Sequence, residues 1–216
     1  MTEVIRKVLP LTAVVLFLAP SICLGQPQAY AGVLGGVSTL SADARTVFSS
    51  NGAAASSYGP ENGATVDLFG GVHWNDYFSI QLDYLWNRNA LTLDAVRSTA
   101  PSDERSFSSH QHAVSGNALL YFRPRDSKVR PYLSVGAGAV HLSAQSASGS
   151  VMNGFGATKP TLQVAVGIDL RIRKAWAFRY SFSETVSGNP ISAQLTPSGT
   201  RMLMNFRNLF GIVKTF

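Results

Sequence analysis

Cysteine is almost missing from this chain: its 216 residues include one, Cys23, and that one falls in an N-terminal leader. The rest of the sequence holds no disulfide, no thiolate nucleophile and no cysteine-based metal site. Charge is sparse as well. Asp, Glu, Lys and Arg together make up 14%, and long stretches are Gly, Ser and Ala, a composition that suits strands and loops better than a charged helical protein. Past the leader, no apolar run reaches the length of a membrane-crossing helix. Phosphate loops are missing too: Gly136-x-Gly138 and Gly70-Gly71 are followed by no helix pattern, and they read as small residues on crowded strands.

The leader itself is well marked. Arg6 and Lys7 precede an apolar stretch from Val8 to Leu18, then Ala19-Pro-Ser-Ile-Cys-Leu-Gly25. These are the three regions of a secretory signal, and the apolar run is too short for a comfortable membrane span. Residues 1–25 are expected to be a signal peptide, and residues 26–216 one domain. Ile22 and Pro20 stand where a lipoprotein signal wants small residues, which argues against lipidation of Cys23. The formal charge is +6; losing Arg6, Lys7 and Glu3 with the leader removes a net +1 and leaves +5. On an exported chain a basic balance points to lipid phosphates rather than to nucleic acid.

Alternation then runs through the chain with period two. Val66, Leu68, Gly70, Val72 and Trp74 share one face, and Thr65, Asp67, Phe69, Gly71 and His73 the other. After the tight turn Asn75-Asp76, the residues Phe78, Ile80, Leu82, Tyr84 and Trp86 oppose Ser79, Gln81, Asp83 and Asn87. Strands are expected at Tyr30–Leu40, Ala64–Trp74, Tyr77–Asn87 or beyond, His110–Phe122, Val129–Ser143, Thr161–Ile172, Trp176–Glu184 and Thr200–Phe216. Their connections alternate long and short. That order suits an all-β fold, an eight-stranded antiparallel up-and-down transmembrane β-barrel with short periplasmic turns and long extracellular loops. Eight steps of about 3.3 Å from Phe78 to Trp86, tilted about 40°, cover roughly 20 Å of an apolar band about 25 Å tall. A soluble eight-stranded barrel shows the same alternation with the opposite sense, apolar inside. The aromatic strand ends, the loop asymmetry and the terminal Phe216, an aromatic suited to the headgroup level, favour the membrane.

Four stretches carry a family resemblance: Gly63 to Tyr84, Val129-Arg-Pro-Tyr-Leu-Ser-Val-Gly-Ala-Gly138, Val166-Gly-Ile-Asp-Leu-Arg171 and Gly211-Ile-Val-Lys-Thr-Phe216. They resemble the outer membrane protein β-barrel domain family, the small OmpA/OmpX-like barrels. These motifs identify a fold and name no reaction. The resemblance implies location in the bacterial outer membrane and contact with its lipid and lipopolysaccharide. It also implies handling by the barrel assembly machinery, through a C-terminal signal matched by Phe210, Ile212 and Phe216; Lys214 departs where an aromatic is common. The peptidoglycan-binding domain of full-length OmpA-type proteins is not expected, and neither is a wall-anchoring role.

The candidate chemistry is mostly inside. With the apolar faces toward lipid, Asp67, Asp83, Asp169, Arg130, Arg171, Arg179 and Arg207 face inward, along with Gln81, Asn117, Gln163 and Asn205. An eight-stranded interior is just wide enough for side chains to fill, so these residues are expected to form a charged, hydrogen-bonded plug. Sharper ideas are weaker. Some lipid A deacylases carry a His-x-Ser pair on such a barrel, with a carboxylate orienting the histidine; His141-Leu-Ser143 matches the pair alone. His110 and His112 share a strand face, but no third metal ligand is evident. Arg123, Arg125, Lys128, Arg130, Arg173 and Lys174 cluster at the short turns, where lipid phosphates are the expected contact. The resulting expectation is a non-enzymatic barrel with a structural or surface-interaction role, no cofactor, metal or catalytic residue, no nucleic-acid partner, and four loops free to meet an extracellular ligand. The alternatives are a lipid A-modifying hydrolase and a narrow ion-conducting pore.

Overall fold

The computed structural model describes residues 27–41, 46–47, 54–59, 62–97, 100–146, 155–188 and 202–216. The expected signal peptide, residues 1–25, lies outside them. Ten strands follow in chain order: β1 (Gln28–Ser41), β2 (Thr46–Val47), β3 (Ala54–Gly59), β4 (Asn62–His73), β5 (Phe78–Arg97), β6 (Ala100–Tyr121), β7 (Val129–Ser146), β8 (Phe155–Arg173), β9 (Trp176–Gly188) and β10 (Met202–Thr215). The described residues contain no helix.

Eight of the strands close a barrel. The sheet runs β5-β4-β1-β10-β9-β8-β7-β6, and β6 returns to β5. Each neighbour is antiparallel, from β1 on β4 to the closing ladder of β1 on β10, which runs from Tyr30↔Thr215 to Ser41↔Met204. Each of these eight strands therefore has a barrel neighbour on both sides, and among the described residues the ring is closed.

The turns at one end are short because local chemistry closes them. In the β4–β5 turn the Asn75 side-chain oxygen accepts from the Tyr77 and Phe78 amides at 2.8 and 2.7 Å, and Trp74 N–H donates to the Phe78 carbonyl at 2.9 Å. An asparagine that folds back on the backbone two and three residues ahead makes a turn of itself.

Alternation became an inside and an outside, and the inside is the polar one. Leu68, Leu82 and Leu162 are 50%, 61% and 65% exposed, whereas Asp67 and Arg207 are 4% and 1% exposed. A soluble barrel has the reverse. Outward aromatics gather at the short-turn end: Trp74, Tyr77, Phe78, Phe122, Trp176 and Phe216 are all exposed. Such a girdle marks a membrane interface.

Two differences from the sequence-based strand limits have physical causes. The segment before β4, whose Ala, Ser and Gly residues carry no alternation, contributes β2 and β3. Strand β5 continues past the end of β4, and β3 pairs with that extension from Ala54↔Arg97 to Gly59↔Thr92. Backbone donors and acceptors on an open edge select a partner strand whatever its side chains. Likewise, most of the segment from Arg88 to Ser108 is strand, because β5 and β6 stay paired as far as Arg97↔Ala100.

Candidate functional site

The inward positions of the strands stack in layers along the barrel axis. Toward the long-connection end the layer is neutral. Ser38 Oγ donates to Asn205 Oδ1 at 2.8 Å, Asn205 Nδ2 to Gln111 Oε1 at 3.2 Å, and Thr65 pairs with Asn87. Below it lie Asp67, Asp83 and Arg207. Asp83 accepts from Gln81 Nε2 at 2.6 Å and from Asn117 Nδ2 at 2.7 Å. Arg207 donates to Thr185. Asp67 and Arg207 are buried without an ion pair to each other, and Asp67 Oδ1 and Arg207 Nε have no hydrogen-bond partner among the described residues.

Arg179 of β9 is the hub of the next layer. It is 1% exposed and sits opposite Asp169 in the β8–β9 ladder. Its Nε donates to Asp169 Oδ1 at 2.6 Å and its Nη2 to Asp169 Oδ2 at 2.8 Å. Its Nη1 reaches Gln81 Oε1 at 2.9 Å, and Nη2 reaches the Tyr121 hydroxyl at 2.8 Å. The rings of Phe69 and Tyr132 each lie 4.9 Å from the guanidinium carbon. A planar fork of donors suits such a crossing point, where a lysine would satisfy one direction at a time.

Aromatic residues pack this layer, and apart from Phe69 the polarity of the inward face did not announce them. Tyr30 stacks on His73 with centroids 4.3 Å apart and donates to Gln81 at 3.1 Å. Its ring lies over Gly71, where a Cβ would come within 2.7 Å of it. The one sequence signal is register: Tyr30 shares the inward parity of Leu34 and Ser38, and a glycine opposite leaves room for its ring.

At the short-turn mouth, Arg130 is 7% exposed and lies 3.8 Å above the Tyr121 ring. Arg171 is half-buried at the rim. Arg125 pairs with Asp76 at 2.7 Å. Two of the six basic residues expected to face lipid phosphates, Arg125 and Arg130, are thus engaged with the protein itself.

The other candidates lie on the outer wall. His141 is exposed, and its Nδ1 meets Thr158 Oγ1 at 2.9 Å. His112 stands opposite His141 in the β6–β7 ladder and meets the Tyr84 hydroxyl at 2.8 Å. The contact made by the His141 ring is thus to a threonine across the ladder, two residues removed from the Ser143 position and with no carboxylate in the bond. Among the described residues no group of three or more His, Cys, Asp or Glu is placed to hold a metal ion. The closing strand presents Phe210, Ile212 and Phe216 outward. Lys214 Nζ lies 5.6 Å from the Trp176 ring and 4.9 Å from that of Phe216, a cation held among interfacial aromatics.

Three solved structures share the fold. Neisserial surface protein A aligns with TM-score 0.57 and 14% identity, over 89% of this chain and 100% of that one. OprG from Pseudomonas aeruginosa gives 0.55 and 13%, over 89% and 98%. Ail, the attachment invasion locus protein of Yersinia pestis, gives 0.53 and 12%, over 88% and 99%. No curated protein matches the sequence. The model of the outer membrane protein β-barrel domain matches residues 11–200, well over half of the chain. This protein of the bacterial outer membrane belongs to the outer membrane protein β-barrel domain family.

Proposed function

We propose that this barrel is a non-enzymatic envelope protein with a structural or surface-interaction role, and that its lumen is plugged by its own polar and charged side chains. The observation that carries the reading is the Arg179 hub, which spans the interior between Asp169, Gln81 and Tyr121 with bonds of 2.6 to 2.9 Å. Side chains that fill an eight-stranded lumen and bond across it at Arg179 leave little room for ions, even with Asp67 Oδ1 and Arg207 Nε unpartnered among the described residues. Lipid and lipopolysaccharide are its surroundings in this reading, and Phe210, Ile212 and Phe216 serve as the signal to the assembly machinery.

Support for a surface role comes from the β5–β6 hairpin. Strand β5 has 20 residues and β6 has 22. At about 3.4 Å per residue and a tilt of about 40°, 20 residues rise roughly 50 Å, twice the apolar band of about 25 Å. A paired ribbon of that height stands clear of the membrane and offers a firm surface to an extracellular ligand. Two of the structural neighbours are named as a surface protein and an attachment invasion protein, which is in keeping with such a role.

Purified full-length protein in planar bilayers tests the plug, and lipid A masses from cells with wild-type protein or His141→Ala test the absence of chemistry. The expected result is no large, steady conductance and no change in lipid A acylation. A stable porin-sized current favours the pore, and a His141-dependent mass shift favours the hydrolase.

A further inference from the structure

We propose that the short-turn mouth of the barrel is an oxyanion site that takes a phosphate group. A cavity of about 80 Å³ opens there, lined by the β6–β7 and β8–β9 turns and by the ends of β1, β4, β7, β8, β9 and β10. A water molecule needs roughly 10–15 Å³ measured this way, so the space admits a group several times larger. Five cations line it, Arg125, Arg130, Arg171, Arg173 and Lys174, against one carboxylate, Asp169.

That carboxylate is already taken. Both of its oxygens accept from Arg179, and Oδ2 also accepts from the Tyr121 hydroxyl at 3.1 Å. Arg125 is spoken for by Asp76. Arg130 is the informative member, being more than nine-tenths buried. Its hydrogen bonds go to backbone carbonyls, that of Asp76 at 2.9 Å and that of Arg123 at 3.4 Å. No ion pair among the described residues includes it. Asp169 stands opposite Arg130 in the β7–β8 ladder, but its oxygens are held by Arg179, and a buried charge with no ion pair of its own is costly. Arg171 and Arg173 follow it around the same rim, on alternate residues of β8, so three guanidinium groups besides that of Arg125 border one small cavity. Guanidinium forks match the oxygens of a phosphate, two at a time. A bound oxyanion adds negative charge where one carboxylate, shared with Arg179, faces several cations, and it accepts the donors that the backbone carbonyls leave unused.

Two sources share that chemistry: free phosphate in the periplasm, and the headgroup of an anionic phospholipid in the leaflet at the rim. Full-length barrel in phosphatidylcholine nanodiscs, titrated calorimetrically with inorganic phosphate in chloride buffer, separates them from the start. Saturable binding is expected, weakened about tenfold or more in Arg171→Gln through loss of a charge-assisted contact, and unchanged in Lys214→Gln on the outer wall. Arg130→Gln should weaken it as well. Because that residue is buried, Arg171→Gln at a half-exposed position keeps the test independent of folding. In a second arm, nanodiscs containing phosphatidylglycerol are analysed by native mass spectrometry. Phosphatidylglycerol retained in an Arg171-dependent way, with loss of the phosphate isotherm, identifies the headgroup as occupant. An isotherm that persists beside phosphatidylglycerol identifies the free anion. No saturable binding in either arm, or binding that both arginine variants leave unchanged, overturns the site.

Discussion

Arg179 stands directly across the β8–β9 ladder from Asp169, and the two side chains meet through parallel bonds of 2.6 and 2.8 Å inside the barrel. Neighbouring strands hold the pair in place, and the Tyr121 hydroxyl and Gln81 take the donors that remain. The arrangement couples four strands, β5, β6, β8 and β9, through one guanidinium.

Removing both partners should cost less than the two single removals added together. Arg179→Met leaves Asp169 buried without its cation, and a loss of about 3–5 kcal/mol is expected. Asp169→Leu leaves the reverse problem. In the double variant the two losses should fall short of their sum by about 1–3 kcal/mol. Urea unfolding of the barrel in lipid vesicles measures the cycle, and strictly additive losses contradict the pairing.

Insertion should distinguish the two faces of the wall. Leu68 is half-exposed toward lipid, and Gln81 is buried in the lumen. Leu68→Arg is expected to cost roughly 2–4 kcal/mol if it lies at the bilayer midplane. Gln81→Arg should interfere less with insertion, although it crowds Arg179. Heat-modifiable mobility of the membrane fraction reports both. Insertion blocked by Gln81→Arg and spared by Leu68→Arg contradicts the assigned faces.

Gly71 should tolerate no side chain. Its Cα faces the Tyr30 ring across the β1–β4 ladder, with the Ile80 carbonyl also close by. Gly71→Val has to push aside a ring that is 2% exposed and stacked on His73. A loss of about 1–3 kcal/mol is expected from overpacking. Tyr30→Ala/Gly71→Val should then lose less than the two single variants together. Equal stability of Gly71→Val and wild type counts against the close approach.

Phe216 should matter for assembly more than for the finished barrel. Its ring is exposed at the short-turn end beside Lys214, and its amide donates to the Ala29 carbonyl at 2.9 Å. Deleting it should lower the yield of folded barrel in the outer membrane, while material refolded in vitro keeps most of its stability. Equal yields in cells with and without Phe216 contradict a role as assembly signal.

The alternation of Val66, Leu68 and Val72 with Thr65, Asp67 and Phe69 is enough to write β4, its two faces and its partner β5, because a strand's side chains change sides at every residue. The β3 segment, Ala54-Ala-Ser-Ser-Tyr-Gly59, offers no such pattern. It is a strand because β5 outruns β4 and leaves backbone groups to be paired, and that is a property of the neighbour. The interior divides in the same way. Parity puts Asp67, Asp83, Asp169, Arg179 and Arg207 on one side of the wall. Partner choice depends on ladder register and height along the axis, which bring Asp169 across from Arg179 and leave Asp67 and Arg207 without an ion pair between them.

The mouth shows the limit most clearly. Arg125 and Lys174 read alike in sequence as basic residues near short turns, while parity already turns Arg130 and Arg171 inward. Only the closed barrel decides that Arg125 meets Asp76, that the ring under Arg130 is that of Tyr121, and that Arg171 and Lys174 border the same cavity. Local alternation is enough for the period of the strands and for the separation of an apolar from a polar face, and the aromatic strand ends and the loop asymmetry point the apolar face to the membrane. Tertiary structure alone decided which charges meet, because contacts across a barrel are set by closure and register among strands far apart in the chain.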